Sequence, residues 1–510
     1  MTDAPRDQRE SSTRASSFLG HTATYAVGNI ARRLVGFLML PIYTRYLTPA
    51  DYGVIGLITF AIAVFEPIFG ARLGRAIPKF YLETSDSRIR RTVIWGAMCL
   101  TGVVSAITVI GVIMFRNAGA EFLFGNKKYA FALALFAVGL FTQPIEDTGM
   151  AYLRLQQRSR LFVGFSLVKL AVQLGLNLLL VVHLHREVVG VAESSLIASA
   201  VMAIAVLAYV IAYERPAFDW PIVRRMWRFC WPLWVSSFAG LYIASSGAVF
   251  LRFFDGLSDV GRLQLALKLA STVGMLLWAP FSQHWEPMSF RYYYAANLDR
   301  KFQVAFSAVA AVMVIGGLGV SVFAEPAIRL MATPPFYAAA ALVPMLVLGF
   351  VLNRLSTFFN FSFIVTGHTK AHGVCQYATA GVITLAYWAL VPRYGLIGSA
   401  YAQLIGFATG FGIARIVSRR YFDPGIRVAP FAVLVGIAAI ACIATAAVGS
   451  PRSIVMDLAI RSLAWGVASL LIGRVALRSI TALDAEVLAG LPAPLVWITR
   501  LAAGRVPTRC

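Results

Sequence analysis

The chain has 510 residues, of which 59% are apolar and only 13% are charged. Soluble domains carry roughly a quarter of charged residues, so this composition excludes a soluble globular protein, and it equally excludes a disordered or collagen-like chain. A net charge of +22 would indicate nucleic-acid binding in a soluble protein, but these cations lie in short loops between apolar runs and therefore indicate membrane topology. We predict an all-α polytopic membrane protein that binds no nucleic acid.

Fourteen membrane-spanning helices are predicted from apolar runs of about 20 residues, the length that crosses a bilayer. The predicted helices begin near Phe18, Tyr52, Thr92, Tyr129, Leu161, Gly190, Cys230, Gly261, Phe302, Tyr337, Gly373, Gly395, Ala429 and Val455. The predicted organisation is an N-terminal tail (1–17), a six-helix lobe (18–213), a linker (214–229), a second six-helix lobe (230–418), two further helices (419–476) and a C-terminal tail (477–510).

Lysine and arginine are concentrated on the side of the membrane that holds the N-terminus, above all in segments 71–91 and 214–229. The positive-inside rule therefore predicts that both termini are cytoplasmic, and an even number of helices agrees. The loops are short and contain no GxxxxGK[ST] motif, so no nucleotide-binding or soluble catalytic domain is expected. We predict no enzymatic activity, no cofactor and no metal site.

Two pairs of segments repeat with the same offset. Asp51 and Gly53 precede Asp259 and Gly261 by 208 residues, and VVGVAESSLIA (188–198) precedes LIGSAYAQLIG (396–406) by the same number. A shared offset predicts two six-helix halves. Because six is even, the halves have the same orientation, as in transporters built from parallel repeats.

The first predicted helix carries polar residues on one face: Tyr25, Asn29 and one of Arg32 and Arg33 are separated by three or four residues. The arginines lie about 21 Å into the helix, near the middle of the membrane. A structural ion pair or snorkelling arginines would also account for them. Two adjacent arginines in the middle of a helix cannot both snorkel easily, which favours a cation that lines a hydrophilic cavity.

Other polar residues of the first half are open to two interpretations. Glu66 either pairs with an arginine of the first helix or titrates as an ion-coupling site. The stripe of Lys169, Gln173 and Asn177 favours a cavity wall over a seam of hydrogen bonds between helices. Glu146 is expected in a surface pairing near the cytoplasmic boundary.

In the second half, Lys268 and Arg354 are the candidate cavity residues, and Asp457 with Arg461 is predicted to form a structural pair within one helix. The five predicted cavity cations therefore face Glu66 as the only well-buried acid. Unpaired burial of charge is costly, whereas a phosphate group would accept strong hydrogen bonds from these cations. The sequence thus predicts an anionic substrate.

Several segments resemble bacterial polysaccharide flippases of the multidrug/oligosaccharidyl-lipid/polysaccharide exporter superfamily. They are LPIYTRYLTPADYGVIGL (40–57), RLGRAIPKFYLE (72–83), LRLQQRSR (153–160), WPLW (231–234) and GLIGSAYAQLIG (395–406). The chain departs from the pattern at Ser245 and Ser246, where many members have Asp-Arg.

The resemblance implies two six-helix bundles arranged as a V, with two extra C-terminal helices, in a bacterial cytoplasmic membrane. It implies that the substrate is an undecaprenyl-diphosphate-linked glycan, such as an O-antigen or other polysaccharide repeat unit, with membrane lipid, a polysaccharide polymerase and a chain-length regulator as partners. A drug/cation antiporter, a peptidoglycan-precursor flippase and a glycan polymerase or ligase are the alternatives.

Overall fold

The computed structural model describes residues 39–69, 73–294, 297–447 and 454–478. The regular structure within these ranges consists of helices, with no strand. Ten helical segments in them are long and apolar enough to cross a membrane. The predicted all-α polytopic membrane fold is therefore confirmed, whereas the number of fourteen is not, and the first predicted helix lies outside the described residues.

The chain divides into two compact units between Leu241 and Tyr242. The helices of the first unit are α1 (Leu40–Tyr46), α2 (Pro49–Phe69), α3 (Ile77–Leu82), α4 (Ser87–Met114), α5 (Arg116–Phe124), α6 (Ala130–Leu155), α7 (Ser159–Asn177), α8 (Glu187–Tyr213) and most of α9 (Trp220–Ser245). A π-helical turn at Leu178–His183 extends α7, and 3-10 turns lie at Leu73–Arg75 and Lys127–Tyr129.

The second unit continues with α10 (Gly247–Phe254), α11 (Leu257–Val273), α12 (Ala279–Tyr293), α13 (Leu298–Val322), α14 (Ala324–Met331), α15 (Val343–Leu355), α16 (Thr357–Val365), α17 (Thr369–Ser418), α18 (Ala429–Ala447) and α19 (Ile454–Arg478). A π-helical turn at Gly274–Trp278 joins α11 to α12, and a 3-10 helix at Pro334–Leu342 precedes α15. The 50-residue α17 is two helices, because Gly395 interrupts it with non-helical dihedral angles.

One helix begins well before its predicted start. The sequence places a linker at 214–229 and a helix from Cys230, but α9 begins at Trp220. Pro221 is suited to the first turn of a helix because its fixed φ is already helical and its missing N–H needs no partner there. Arg224, Arg225 and Arg228, which suggested a loop, therefore lie in the helix before its apolar part.

The TPADYG segment forms a helix cap. The Thr48 hydroxyl donates to Asp51 Oδ2 (2.6 Å), and the Asp51 N–H donates to the Thr48 hydroxyl (3.2 Å). This reciprocal arrangement satisfies N–H groups that the first turn of α2 would leave without partners. The hydroxyl of Tyr129 also donates to Asp51 Oδ1 (3.1 Å), which joins the cap to the start of α6.

One helix of the second unit starts at the predicted offset, because Leu257 of α11 lies 208 residues after Pro49 of α2. Gly256 is the N-cap of α11, as Thr48 is of α2, and Asp259 therefore occupies the third helical position, like Asp51. Asp259 pairs instead with Arg262 (Oδ1–Nη1 2.7 Å). The repeated sequence thus corresponds to repeated local structure, although the partners of the two aspartates differ.

The residue that precedes the second repeated segment has a positive φ in both units. Glu187, the first residue of α8, has φ +47°, and Gly395, 208 residues later, has φ +53°. Gly395 combines this φ with ψ −131°, a conformation that residues with a Cβ avoid. A Cβ at Gly395 would also lie 2.7 Å from Oδ2 of Asp255. Burial raises the pKa of the Asp255 carboxyl, and the nearby charge of Asp259 raises it further.

We predict that Gly395→Ala destabilises the protein by about 1–3 kcal/mol, because it strains the backbone at the break in α17. Gly381→Ala is the matched control, since a Cβ there meets no atom within 4 Å and alanine favours a helix interior. Thermal unfolding of the purified proteins compares the two variants. Equal melting temperatures for both would show that Gly395 is not needed for this break.

Candidate functional site

Lys169 and Glu146 form an ion pair inside the first unit. The Nζ of Lys169 on α7 lies 2.5 Å from Oε2 of Glu146 on α6, and their side chains are 19% and 5% exposed. A charge-assisted hydrogen bond of this kind offsets the cost of burying both groups. The expectation that Lys169 faces no protein counter-charge is therefore wrong.

The predicted surface pairing of Glu146 near the cytoplasmic boundary is also wrong. Glu146 lies nine residues before the end of α6, and Lys169 lies ten residues after the start of α7, so each is about 14–15 Å from a helix end. That distance is about half of a 30 Å hydrocarbon core. Glu146 is deeper than predicted because α6 continues to Leu155.

The predicted stripe on α7 divides between two environments. Asn177 is fully buried, and its Oδ1 accepts hydrogen bonds from Tyr43 (3.2 Å) and Ser194 (3.0 Å). It therefore belongs to a seam between helices, the interpretation that the sequence did not favour. Gln173 is half-buried, and its Nε2 lies 3.5 Å from Oγ of Ser195.

The neighbouring packing in this unit is tight. A Cβ at Gly149 of α6 would overlap the side chain of Val206 on α8. Small residues at such positions let membrane helices approach closely. Glu146, three residues earlier on α6, is therefore held on a helix that packs directly against α8.

Lys268 of the second unit differs from Lys169. It is exposed, and it forms no ion pair with any part of the chain that the structure describes. It lies eleven residues after the start of α11, about 16 Å along the helix, within a continuous helical segment from Leu257 to Tyr293. An ammonium at this depth requires water or an anion beside it.

Lys268 belongs to a polar stripe that sequence reasoning missed. Gln264, Lys268 and Thr272 follow at intervals of four residues, and Ser271 lies beside them. Residues at this spacing share one face of a helix, whereas the other positions from Val260 to Ala270 are mostly buried apolar residues. The spacing alone could have revealed the stripe, as it did on α7.

Arg354 lies near the end of α15, which continues the 3-10 helix Pro334–Leu342 within one membrane-spanning segment. Its Nε is 3.4 Å from the position of a Cβ on Gly274, in the π-helical turn six residues after Lys268. Arg354 is half-buried. The structure therefore brings the two cations predicted for this unit to neighbouring parts of one helix pair.

A small polar cavity close to Arg354 was not predicted. It has a volume of about 20 Å³, sufficient for a water molecule, and α15, α16 and α17 contribute to it. Its polar lining consists of Asn353, Ser356, Asn360, Gln376 and Thr379. No charged residue lines it, so it contributes polarity rather than charge to this part of the unit.

Asp147 is a second acid at depth in the first unit. It is exposed on α6 and accepts a hydrogen bond from Gln143 Nε2 (3.3 Å). Its position, eight residues before the end of α6, is about 12 Å from that end. The excess of cations over acids is therefore smaller than the sequence analysis assumed.

The structure describes only some of the remaining residues that the sequence singled out. Tyr25, Asn29, Arg32 and Arg33 lie outside the described residues, and Glu66 lies on α2 with a side chain that is also outside them. The predicted pair of Asp457 and Arg461 is confirmed, with Oδ1–Nε 2.8 Å.

Solved structures of membrane transporters share this fold. The lipid II flippase MurJ in an inward closed conformation superposes with a TM-score of 0.71, covering 88% of this chain and 98% of that chain at 13% identity. An inward-facing multidrug resistance MATE family transporter of the MOP superfamily gives 0.56, with 76% and 94% covered at 15% identity. The MATE multidrug transporter DinF-BH gives 0.55, with 80% and 95% covered at 15% identity. The protein is thus a multi-pass membrane protein with a MurJ/MATE-like fold.

The family follows from the sequence comparison. The family model described as polysaccharide biosynthesis protein matches residues 18–293, just over half of the chain. The chain belongs to this family, and the resemblance found in its motifs is confirmed. No curated protein sequence matches it significantly.

Proposed function

We propose that the protein is a flippase that moves a lipid-diphosphate-linked oligosaccharide, a polysaccharide or O-antigen repeat unit, across the bacterial cytoplasmic membrane. In this proposal both termini are cytoplasmic, and the binding cavity opens in turn to each side of the membrane. A polysaccharide polymerase and a chain-length regulator would act on the exported unit. Family membership and the MurJ/MATE-like fold support transport of this class.

The observation that carries the proposal is Lys268. Its ammonium lies at mid-membrane depth, as the exposed member of a half-buried polar stripe, without a carboxylate partner in the described part of the chain. A lysine at this depth is too far from the helix end to place its charge easily at the membrane surface. A diphosphate would neutralise it and accept its hydrogen bonds.

Arg354 supports the same ligand from the neighbouring helix. A guanidinium presents paired donors that match phosphate oxygens, whereas an ammonium acts as a point charge. Arg32, Arg33, Asn29 and Tyr25 remain proposed substrate-binding residues of the first unit. Lys169 is proposed to bind substrate only when its pairing with Glu146 is released, because the Glu146 carboxylate already binds its ammonium.

We predict that Lys268→Ala abolishes export of surface polysaccharide in a strain that lacks the native gene, whereas Lys268→Arg retains part of it. Lys370→Ala is the control, because Lys370 is an exposed lysine at the first turn of α17. Surface polysaccharide is quantified at matched membrane levels of each variant. Full export by Lys268→Ala would remove the main support for an anionic substrate.

Asp147 favours a second candidate, a drug/cation antiporter. An exposed carboxylate at depth is the type of group that binds a transported cation. Normal surface polysaccharide in the deletion strain, together with drug resistance that overexpression confers and Asp147→Asn removes, would favour the antiporter. A peptidoglycan-precursor flippase would instead be indicated if the deletion strain could not make cell wall.

A further inference from the structure

Two adjoining cavities lie in the second unit, and neither is lined by Lys268 or Arg354. Their volumes are about 570 Å³ and 230 Å³. They share Ser321, Pro344 and Cys442 in their linings. Because the shared residues come from α13, α15 and α18, the two cavities form one continuous groove between these helices.

The larger cavity is charged and lies at one end of the groove. Glu325 and Arg329 of α14 line it, with side chains 37% and 51% exposed, and so does Arg461 of α19. These residues lie just after the end of α13 or near the start of α19, which places them at the predicted periplasmic surface. The cavity is therefore in the headgroup region of that leaflet.

The charges of this cavity balance. Arg329 pairs with Glu325 (2.7 Å), and Arg461 pairs with both Glu325 and Asp457 (2.8 Å each). Glu325, Arg329 and Arg461 line the cavity, and Asp457, which does not line it, is bound to Arg461, so the described groups of this cluster are two cations and two carboxylates. A ligand with a large net charge of either sign gains little here, whereas a zwitterion can place a phosphate beside Arg329 and an ammonium beside Glu325.

The smaller cavity is apolar and runs deeper. It is lined by Val314, Leu318, Val347, Leu348, Val435 and Ile443, among others. Val435 lies twelve residues before the end of α18, about 18 Å from that end. At this depth a crevice in a membrane protein contacts hydrocarbon rather than water, so an acyl chain is the occupant that matches its lining.

We propose that this groove binds one zwitterionic phospholipid of the phosphatidylethanolamine class from the predicted periplasmic leaflet. The headgroup occupies the charged cavity, and an acyl chain fills the apolar cavity between α18 and the pair of α13 and α15. The lipid thereby connects the C-terminal hairpin of α18 and α19 to the rest of the unit. The inference does not depend on the proposed export of a glycan.

The test is lipid binding by the purified, delipidated full-length protein, titrated with phosphatidylethanolamine and followed by native mass spectrometry. Ala438→Trp places a large side chain in the apolar cavity, and Arg329→Gln removes the exposed cation of the headgroup cavity. We expect Ala438→Trp to bind about tenfold more weakly and Arg329→Gln to bind several-fold more weakly. Ala444→Trp is the control, because Ala444 is exposed on α18 but does not line either cavity.

Three results would overturn the proposal. The first is unchanged phosphatidylethanolamine binding by both Ala438→Trp and Arg329→Gln. The second is binding of phosphatidylglycerol as tightly as of phosphatidylethanolamine, which would exclude selection of a zwitterion. The third is preferential binding of undecaprenyl phosphate that Ala438→Trp removes, which would assign the groove to an isoprenoid lipid. Each readout is independent of surface polysaccharide.

Discussion

Lys169→Met is expected to be one of the most destabilising single substitutions in the protein, with a loss of about 3–5 kcal/mol in unfolding free energy. The substitution removes the ammonium that lies 2.5 Å from Glu146 and leaves a carboxylate that is only 5% exposed. That carboxylate then loses its ion-pair partner on α7 at a depth where an incompletely paired charge is costly. Thermal unfolding in detergent and the yield of folded protein measure the effect.

A double-mutant cycle separates the pairing from simple loss of side-chain packing. Glu146→Gln combined with Lys169→Met removes both charges, so the double variant should recover most of the stability that Lys169→Met loses. Lys370→Ala serves again as the lysine control. If the losses of the two single variants simply added in the double variant, the two side chains would not be coupled, and the ion pair would be irrelevant to stability.

The same variants test the role of Lys169 in transport. A lysine that binds substrate only after release from Glu146 predicts that the double variant is stable but exports poorly. A lysine with a purely structural role predicts that stability and export recover together. The cycle therefore distinguishes two roles that the ion-pair geometry alone leaves equivalent, because both require the same 2.5 Å contact.

The helices themselves were largely predictable, because apolar runs and their interruptions depend on local sequence. The predicted start at Leu161 differs by two residues from α7, and that at Ala429 coincides with α18. The offset of 208 residues also predicted where helices start in both units. The start of α9 was predicted too late, because arginines in the second and third turns of a helix cannot be distinguished from a loop by hydropathy.

The environments of the polar side chains were less predictable. The spacing on α7 correctly placed Lys169, Gln173 and Asn177 on one face, but it could not show that Asn177 meets Tyr43 and Ser194. Those contacts come from two other helices, α1 and α8, whose packing against α7 the spacing does not show. The depth of Glu146 could have been obtained by counting residues from the end of its helix, whereas its pairing with Lys169 required the packing of α6 against α7.

Arg461→Met is the second substitution expected to have a large effect, again about 3–5 kcal/mol of unfolding free energy. The side chain is 7% exposed, and three of its nitrogens donate hydrogen bonds: to Asp457 Oδ1 (2.8 Å), to Glu325 Oε2 (2.8 Å) and to the carbonyl of Val322 (2.7 Å). Methionine retains much of the volume but none of these donors. The carbonyl at the end of α13 and the Asp457 carboxylate would both lose their partner.

Arg461→Lys distinguishes the geometry of this site from its charge. A lysine keeps the positive charge but cannot direct three donors to three fixed acceptors, so we expect it to recover only part of the stability. Arg474→Met is the matched control on the same helix, because Arg474 is exposed. Thermal unfolding and limited proteolysis of the C-terminal hairpin provide the measurements. Equal stability of the methionine variants at 461 and 474 would mean that the buried guanidinium contributes nothing to attachment of the hairpin. The hairpin would then be held by other contacts, such as those of Trp465, whose indole N–H donates to the carbonyl of Ile315 (3.0 Å).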